Sequence, residues 1–185
     1  GKPLAGAQVM VLSLDDSAPH SLPNGEWGEL AVHATWMFDG YDQQWGTEHH
    51  SEFIVKGQRF HRTGDLGLVD TNGDLHQLGR LQHALFMATR TVPSVLVEDP
   101  ISTELGRLVA AVGIGPVGTQ VIAVVVQTEG KLRLASAEVT AKVRQCSVFE
   151  IAAVLEGELP VDIRHQSKIK REVLAVTASE FLAGR

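Results

Sequence analysis

Residues 60–81 constrain this chain more than any other stretch. They hold Arg62-Thr63-Gly64-Asp65-Leu66-Gly67, a turn at Thr71-Asn72-Gly73-Asp74, and Gly79-Arg80-Leu81. Residues 66–69 and 75–78 have the composition of two short strands. Asn72-Gly73 between them signals a hairpin with a primed turn, because both residues take φ > 0 at low cost. Such a hairpin holds Asp65 at one end and delivers Arg80 from the other. An ionised carboxylate accepts two hydroxyl hydrogen bonds, and a guanidinium suits sugar and phosphate oxygens. Alone, the same pair also describes an ordinary hairpin with solvated charges.

Residues 1–78 read as short strands joined by tight turns, an all-β piece. Residues 7–14 alternate as a strand, apolar on both faces. Residues 15–24 are a loop rich in Ser, Pro and Asp. Gly28-Glu29-Leu30-Ala31-Val32-His33 is the next strand, and residues 53–61 lead into the hairpin. Trp27, Trp36, Phe38 and Trp45 are most simply core or wall residues. His49-His50 invites a metal, but no third ligand stands at a familiar spacing, so no metal site is assigned.

After Gly79-Arg80 the pattern changes. Residues 109–114 and 121–126 are β-branched runs of strand length, split by Gly115-Pro116-Val117-Gly118, which predicts an antiparallel pair. Ser136 followed by Glu138 predicts a helix start, with the helix running to Cys146. Residues 170–182 carry Val173, Leu174 and Phe181 at helical spacing. Residues 93–99 suit one short helix with Pro in its first turn. Residues 79–185 thus predict a compact α+β unit.

Composition excludes several classes. The chain has 185 residues, 44% hydrophobic and 21% charged, with net charge −6. It shows no basic cluster, so nucleic acid is not expected as a partner. Cys146 is the only cysteine. No intramolecular disulfide can form, a reducing cytoplasm fits, and the thiol reads as structural. No charged segment followed by an apolar run opens this sequence and no apolar run of about 18 residues occurs in it, so no membrane span is expected.

The 60–81 block resembles the adenylate-forming enzymes: acyl-CoA synthetases, peptide-synthetase adenylation domains, luciferases and their relatives. In that superfamily an R-T-G-D-L block precedes a hairpin and a G-R pair. The aspartate binds the ribose hydroxyls of ATP, and the G-R pair precedes a hinge to a small mobile domain. Asp65 and Arg80 match these positions, which places the hinge at Leu81 and Gln82. Gly28-Glu29-Leu30 resembles the family's G-E-L-x-V block, and Gly40-Tyr41 its G-Y pair. Leu159-Pro160-Val161-Asp162-Ile163-Arg164-His165-Gln166-Ser167-Lys168-Ile169-Lys170-Arg171 resembles the family's terminal (G/S)-K-(I/V)-x-R block, whose lysine reaches ATP and the acyl carboxylate. Lys168 matches that lysine. A mobile ammonium can stabilise a pentacoordinate phosphate more than the ground state. On its own it is more simply a solvated lysine before a helix.

The resemblance implies an α+β chain in two parts. Residues 1–78 would be the β-barrel-like subdomain that closes the large domain, and residues 79–185 the mobile lid. The opening Gly1-Lys2-Pro3-Leu4-Ala5-Gly6 resembles a block that lies deep inside family members, which implies the C-terminal part of a longer enzyme. The phosphate loop, the acyl pocket and the groups that bind Mg2+ would then precede Gly1. The cofactors implied are ATP and Mg2+, and this piece alone should be inactive.

The P-V-D-x-R-H form, Gly79-Arg80-Leu81-Gln82-His83 and Thr91-Val92-Pro93 resemble the β-lactone synthetases of bacterial olefin biosynthesis. These adenylate a β-hydroxy fatty acid, and partner enzymes of that pathway are then implied. His83 and His165 are the histidines to test first, each equally at home as a structural histidine. Departures from the thioester-forming relatives are Gln82 at the hinge, and Phe86 and Thr89 where those relatives have K-x-x-G. A Cβ at that glycine would crowd the thiol's approach. A fatty acyl-CoA or acyl-AMP ligase is the alternative enzyme, and a degenerate non-catalytic scaffold is the alternative of another class.

Overall fold

The computed structural model describes residues 1–15, 18–37, 52–162 and 168–185. The chain divides into two compact units, Gly1–Gln82 and His83–Arg185.

The first unit is built on one antiparallel sheet. Its strands are β1 (Ala7–Leu12), β2 (Gly28–Ala34), β3 (Glu52–Val55), β4 (Gln58–Val69) and β5 (Leu75–Arg80). The order is β1-β2-β4-β3, with β5 also pairing β4. The twelve-residue β4 is the spine. One edge pairs with β2. The other pairs with β3 over residues 58–61 and with β5 over residues 65–69. Leu12, Ala31 and Phe60 form its small buried core, with Met10, Phe53 and Val55 against them. The barrel-like subdomain expected for residues 1–78 is an open sheet among the described residues, with no closed barrel.

One hairpin turn in this sheet differs from the turn chemistry expected. At residues 71–73 the loop has three residues, not a two-residue primed turn. Gly73 alone has positive φ, at 78°. Its N–H donates to the Asp70 carbonyl at 3.0 Å, and the Asp70 N–H donates to the Asp74 carbonyl at 2.9 Å. The Asp70 carboxylate accepts the N–H groups of Asn72 and Asp74 at 2.8 and 2.9 Å. Asp70 therefore wraps the turn from its first position, which favours a type I turn closed by a left-handed glycine. The primed geometry occurs instead at Lys56-Gly57, where φ is 50° and 77° between the paired Val55 and Gln58.

Trp36 is a second departure. It is 60% exposed rather than core. Its ring covers Gly6, where an added Cβ would lie 2.8 Å from the indole. Trp27 is half-buried. Phe38, Gly40-Tyr41, Trp45, His49-His50 and His165 lie outside the described residues.

The second unit has a four-stranded sheet of β8 (Val109–Ile114), β9 (Val121–Gln127), β10 (Arg133–Leu134) and β11 (Ile151–Gly157). Its order is β10-β11-β9-β8. A short pair, β6 (Leu85–Phe86) and β7 (Thr91–Val92), stands before it. β8 and β9 pair antiparallel with Val109 opposite Val126, as the two β-branched runs predict. β9 and β11 pair in parallel. Central β9 is apolar on both faces, the pattern of a strand covered on both sides.

Three helices appear among the described residues: α1 (Val95–Leu105), α2 (Ala137–Cys146) and α3 (Arg171–Leu182). Alternation along the strands sorts the core. Val109, Ala111, Ile122, Val124 and Val126 face Val97 and Ile101 of α1 and Val143 of α2. Ala110, Val112, Ala123 and Val125 face Leu174 and Ala178 of α3. The Ser136 hydroxyl accepts the Val139 N–H at 3.2 Å and caps α2 as expected. α1 starts two residues later and runs longer than the helix expected over residues 93–99, passing through Pro100. Buried Val97 and Ile101 outweigh the hydrogen bond that proline removes. No described helix is long and apolar enough to cross a membrane.

Candidate functional site

Asp65 and Arg80 face each other across the β4–β5 ladder. Arg80 Nε lies 3.0 Å from Asp65 Oδ1. That oxygen is buried, and Arg80 contacts it off the alignment of a good hydrogen bond. Arg80 also donates to the Thr63 carbonyl at 3.4 Å. Its guanidinium is 58% exposed, against 22% for the Asp65 carboxylate. An ion pair this open contributes about 0–1 kcal/mol to folding. Stability is therefore a weak reason for the care with which the pair is held.

The local backbone shows that care. Glu29 pairs with Leu66 and Ala31 with Arg62, so β4 carries extra residues between those positions. The excess is a bulge at Arg62-Thr63-Gly64-Asp65, with Gly64 at φ 69°. Bulges of this kind re-aim side chains. Buried Glu29 braces it from below. Its Oε2 accepts Arg62 Nε at 2.7 Å, and its Oε1 accepts the Gly64 N–H at 3.1 Å. The Thr63 hydroxyl donates to the Leu30 carbonyl at 2.9 Å and accepts the Asp65 N–H at 3.0 Å. A second irregularity at Leu78 sets the register that brings Arg80 opposite Asp65. Within the G-E-L block, Glu29 is a site residue that the sequence alone does not single out. A carboxylate in an otherwise apolar strand was the available signal.

The hairpin tip is a separate polar knot. A His76 ring nitrogen lies 2.9 Å from Asp70 Oδ2. That contact and the two N–H donors hold the Asp70 carboxyl down to about 2.

Lys168 is exposed and stands outside any helix. Its own carbonyl and the residues after it are tied to residues 160–162. Val161 and Ile169 form an antiparallel bridge. The Asp162 N–H donates to the Lys168 carbonyl, and the Lys170 N–H to the Pro160 carbonyl, both at 2.8 Å. Ile169 is buried beside Leu174. The result is an exposed ammonium on a pinned backbone.

His83 Nε2 lies 3.5 Å from Glu172 Oε1. Burial and the nearby Arg171 guanidinium lower its pKa below the ordinary histidine value, against the pull of Glu172 and Glu98. Phe86 is held by its backbone. Its N–H donates to Gln120 Oε1 at 2.8 Å, and its carbonyl accepts the N–H groups of Gly118 and Gln120, both at 3.0 Å. Leu81, Gln82 and His83 form a single 3-10 turn. No group of three or more His, Cys, Asp or Glu side chains poised for a metal occurs among the described residues. The Asp65 carboxylate can accept hydrogen bonds from hydroxyl groups, and the Arg80 guanidinium can donate to sugar or phosphate oxygens.

The chain is 33% identical over 179 residues to a Bacillus subtilis protein named "Putative acyl--CoA ligase YdaB", covering 94% of this chain and 34% of the relative. It is 30% identical over 199 residues to the olefin beta-lactone synthetase of Xanthomonas campestris, covering 97% of this chain and 36% of the relative. It thus spans about a third of the length of these curated relatives. No protein-family model matches it. Among solved structures, ATP-bound MatB from Rhodopseudomonas palustris shares the fold, with TM-score 0.77 at 22% identity over 98% of this chain and 36% of that one. The O-succinylbenzoate coenzyme A synthetase of Bacillus subtilis in complex with AMP does so too, with TM-score 0.72 at 19% identity over 94% and 34%. Relatives and fold agree: the chain belongs to the adenylate-forming, AMP-forming ligases and synthetases, and corresponds to their C-terminal part.

Proposed function

We propose that this chain works within a longer enzyme that activates a fatty or β-hydroxy fatty acid as its acyl adenylate. The carboxylate attacks the α-phosphate of ATP, an acyl-phosphate bond forms, and pyrophosphate leaves. Asp65 and Arg80 hold the nucleotide through its sugar and phosphate oxygens. Lys168 supplies positive charge to the phosphorus as the attacking and leaving oxygens both bear on it. Mg2+ accompanies the ATP. The first unit closes the large domain, the second is the lid, and Leu81 and Gln82 are the hinge. This piece alone is inactive. The observation that carries the reading is the Asp65–Arg80 pair, held opposite each other by a bulge that buried Glu29 braces.

The test is pyrophosphate release by the full-length enzyme with ATP and a β-hydroxy fatty acid. Lys168→Ala should reduce it by orders of magnitude. An unchanged rate in that variant refutes the role.

The acyl adenylate of a β-hydroxy acid can close on itself. Its hydroxyl attacks the acyl carbon, the acyl-phosphate bond breaks, and AMP leaves with a β-lactone as product. Phe86 and Thr89 favour this course over thioester formation, since Phe86 is tied through its backbone to residues 118–120. The acyl-CoA ligase reading is separated by adding coenzyme A. Lactone formed without thiol supports cyclisation, whereas thioester supports the alternative. A non-catalytic scaffold would release no pyrophosphate with any acid.

A further inference from the structure

We propose that Glu98 and Arg171 form a clamp that positions Lys168, an inference that rests on the catalytic role of Lys168 given above. Arg171 sits three residues after Lys168, at the first position of α3. Its guanidinium engages Glu98 of α1 through both carboxylate oxygens. Nη2 lies 2.8 Å from Oε2 and 3.0 Å from Oε1, and Nε lies 3.3 Å from Oε1. Glu98 Oε1 also accepts the Ala111 N–H at 2.8 Å. The Glu98 side chain is 10% exposed and that of Arg171 20%.

The placement runs against local electrostatics. A helix N-terminus carries partial positive charge and favours acids and Ser, Thr, Asp or Asn caps. Here the first helical residue is Arg171, and the cap position is Lys170, whose side chain caps nothing. A broken local rule asks for a gain elsewhere. The gain lies in topology. β8 is the edge strand. α1 packs on one face of the sheet and α3 on the other. The Glu98–Arg171 pair therefore clasps the edge, taking up an edge N–H and joining the two helices around it.

That clasp fixes the chain just after Lys168. With Ile169 buried and bridged to Val161, the Lys168 backbone is held through its own carbonyl and the residues that follow it, while its side chain stays exposed. A buried ion pair is a poor choice for stability, because a well-packed apolar pair serves as well or better. Holding direction, with a planar fork on a fixed carboxylate, is what an apolar pair cannot do.

The test uses the full-length enzyme and five variants: Glu98→Gln, Arg171→Lys, Lys168→Ala, the combination Lys168→Ala/Glu98→Gln, and the double change Glu98→Met/Arg171→Met. Glu98→Gln and Arg171→Lys should each slow pyrophosphate release about 10–100-fold, the cost of a small misplacement. Nucleotide affinity, read separately, should stay within about threefold. Added to Lys168→Ala, Glu98→Gln should cause no further loss, because it acts through a group already removed. The Met pair should restore thermal stability without restoring rate. Three results overturn the clamp: Glu98→Gln at full rate, a full additional loss in the Lys168→Ala background, or a Met pair that turns over normally. An active Lys168→Ala enzyme sinks the catalytic reading itself. A slow Lys168→Ala enzyme with additive Glu98→Gln sinks the clamp alone.

Discussion

The Asp65–Arg80 hairpin and the Lys168 loop present charge in opposite ways. In the first, both groups sit in paired strands, in register, over a buried carboxylate that reads the bulge backbone. In the second, the backbone is tied and the side chain is left to solvent. The contrast fits two tasks. A group that holds a ligand gains from a fixed geometry, because ordering costs nothing at binding. A group that stabilises a transient charge must be near it during one step only. The two units also differ in how they are built. Among the described residues, the buried cluster of the first unit has three members, while the second unit covers both faces of its sheet.

The largest effect that could break this comparison is chemical. Lys168→Ala should abolish most pyrophosphate release, whereas Lys168→Arg should retain a part of it, and the pair is checked by steady-state rates. Next is Glu29. Glu29→Ala removes the carboxylate that Arg62 and the Gly64 N–H share, which should cost about 1–3 kcal/mol in the first unit. Denaturant unfolding reads that loss, and nucleotide affinity should fall with it as the bulge relaxes. If Glu29→Ala leaves both unchanged, the brace is not what aims Asp65. Asp65→Asn should be gentler on folding and harsher on binding. Its amide is a poorer acceptor than a carboxylate, and the expected loss of nucleotide affinity is about 1.5–3 kcal/mol, the worth of charged hydrogen bonds.

The smallest effect is the pH response of the hairpin tip. Asp70 titrates at about 2, held there chiefly by His76. Its folded value lies below the unfolded one, near 4, so it stabilises the fold above the unfolded value. That contribution should fade as pH falls from about 4 towards 2. Hydrogen exchange at Asn72 and Asp74 follows the change, and Asp70→Asn should erase the pH dependence. His83 behaves with the same sign. Its neutral form is favoured in the fold, so the second unit should lose stability as pH falls below about 6.5.

Much of this was legible because it is local. The β-branched runs at residues 109–114 and 121–126 specify a strand pair, and Ser136 specifies a helix start. The Asp65–Arg80 juxtaposition follows from one hairpin. The turn itself was not legible from Asn72-Gly73, because the Asp70 side chain two residues earlier selects a longer loop. Strand β11 escaped notice because its partner β9 is parallel and arrives through a crossover, which leaves no turn signal. Glu29 and Glu98 escaped for a related reason. Each is an acid in an ordinary-looking segment, and its meaning comes from Arg62 or Arg171, 33 and 73 residues away. A buried ion pair across such a span has no spacing to read.

The most direct test measures nucleotide affinity and adenylation rate side by side in the Asp65→Asn and Lys168→Ala enzymes. A holding site and a reaching charge predict a crossed pattern: Asp65→Asn binds ATP weakly, while Lys168→Ala binds it nearly as well as the parent yet releases pyrophosphate orders of magnitude more slowly. Equal losses of affinity and rate in both variants, or normal turnover by Lys168→Ala, would contradict that division of labour.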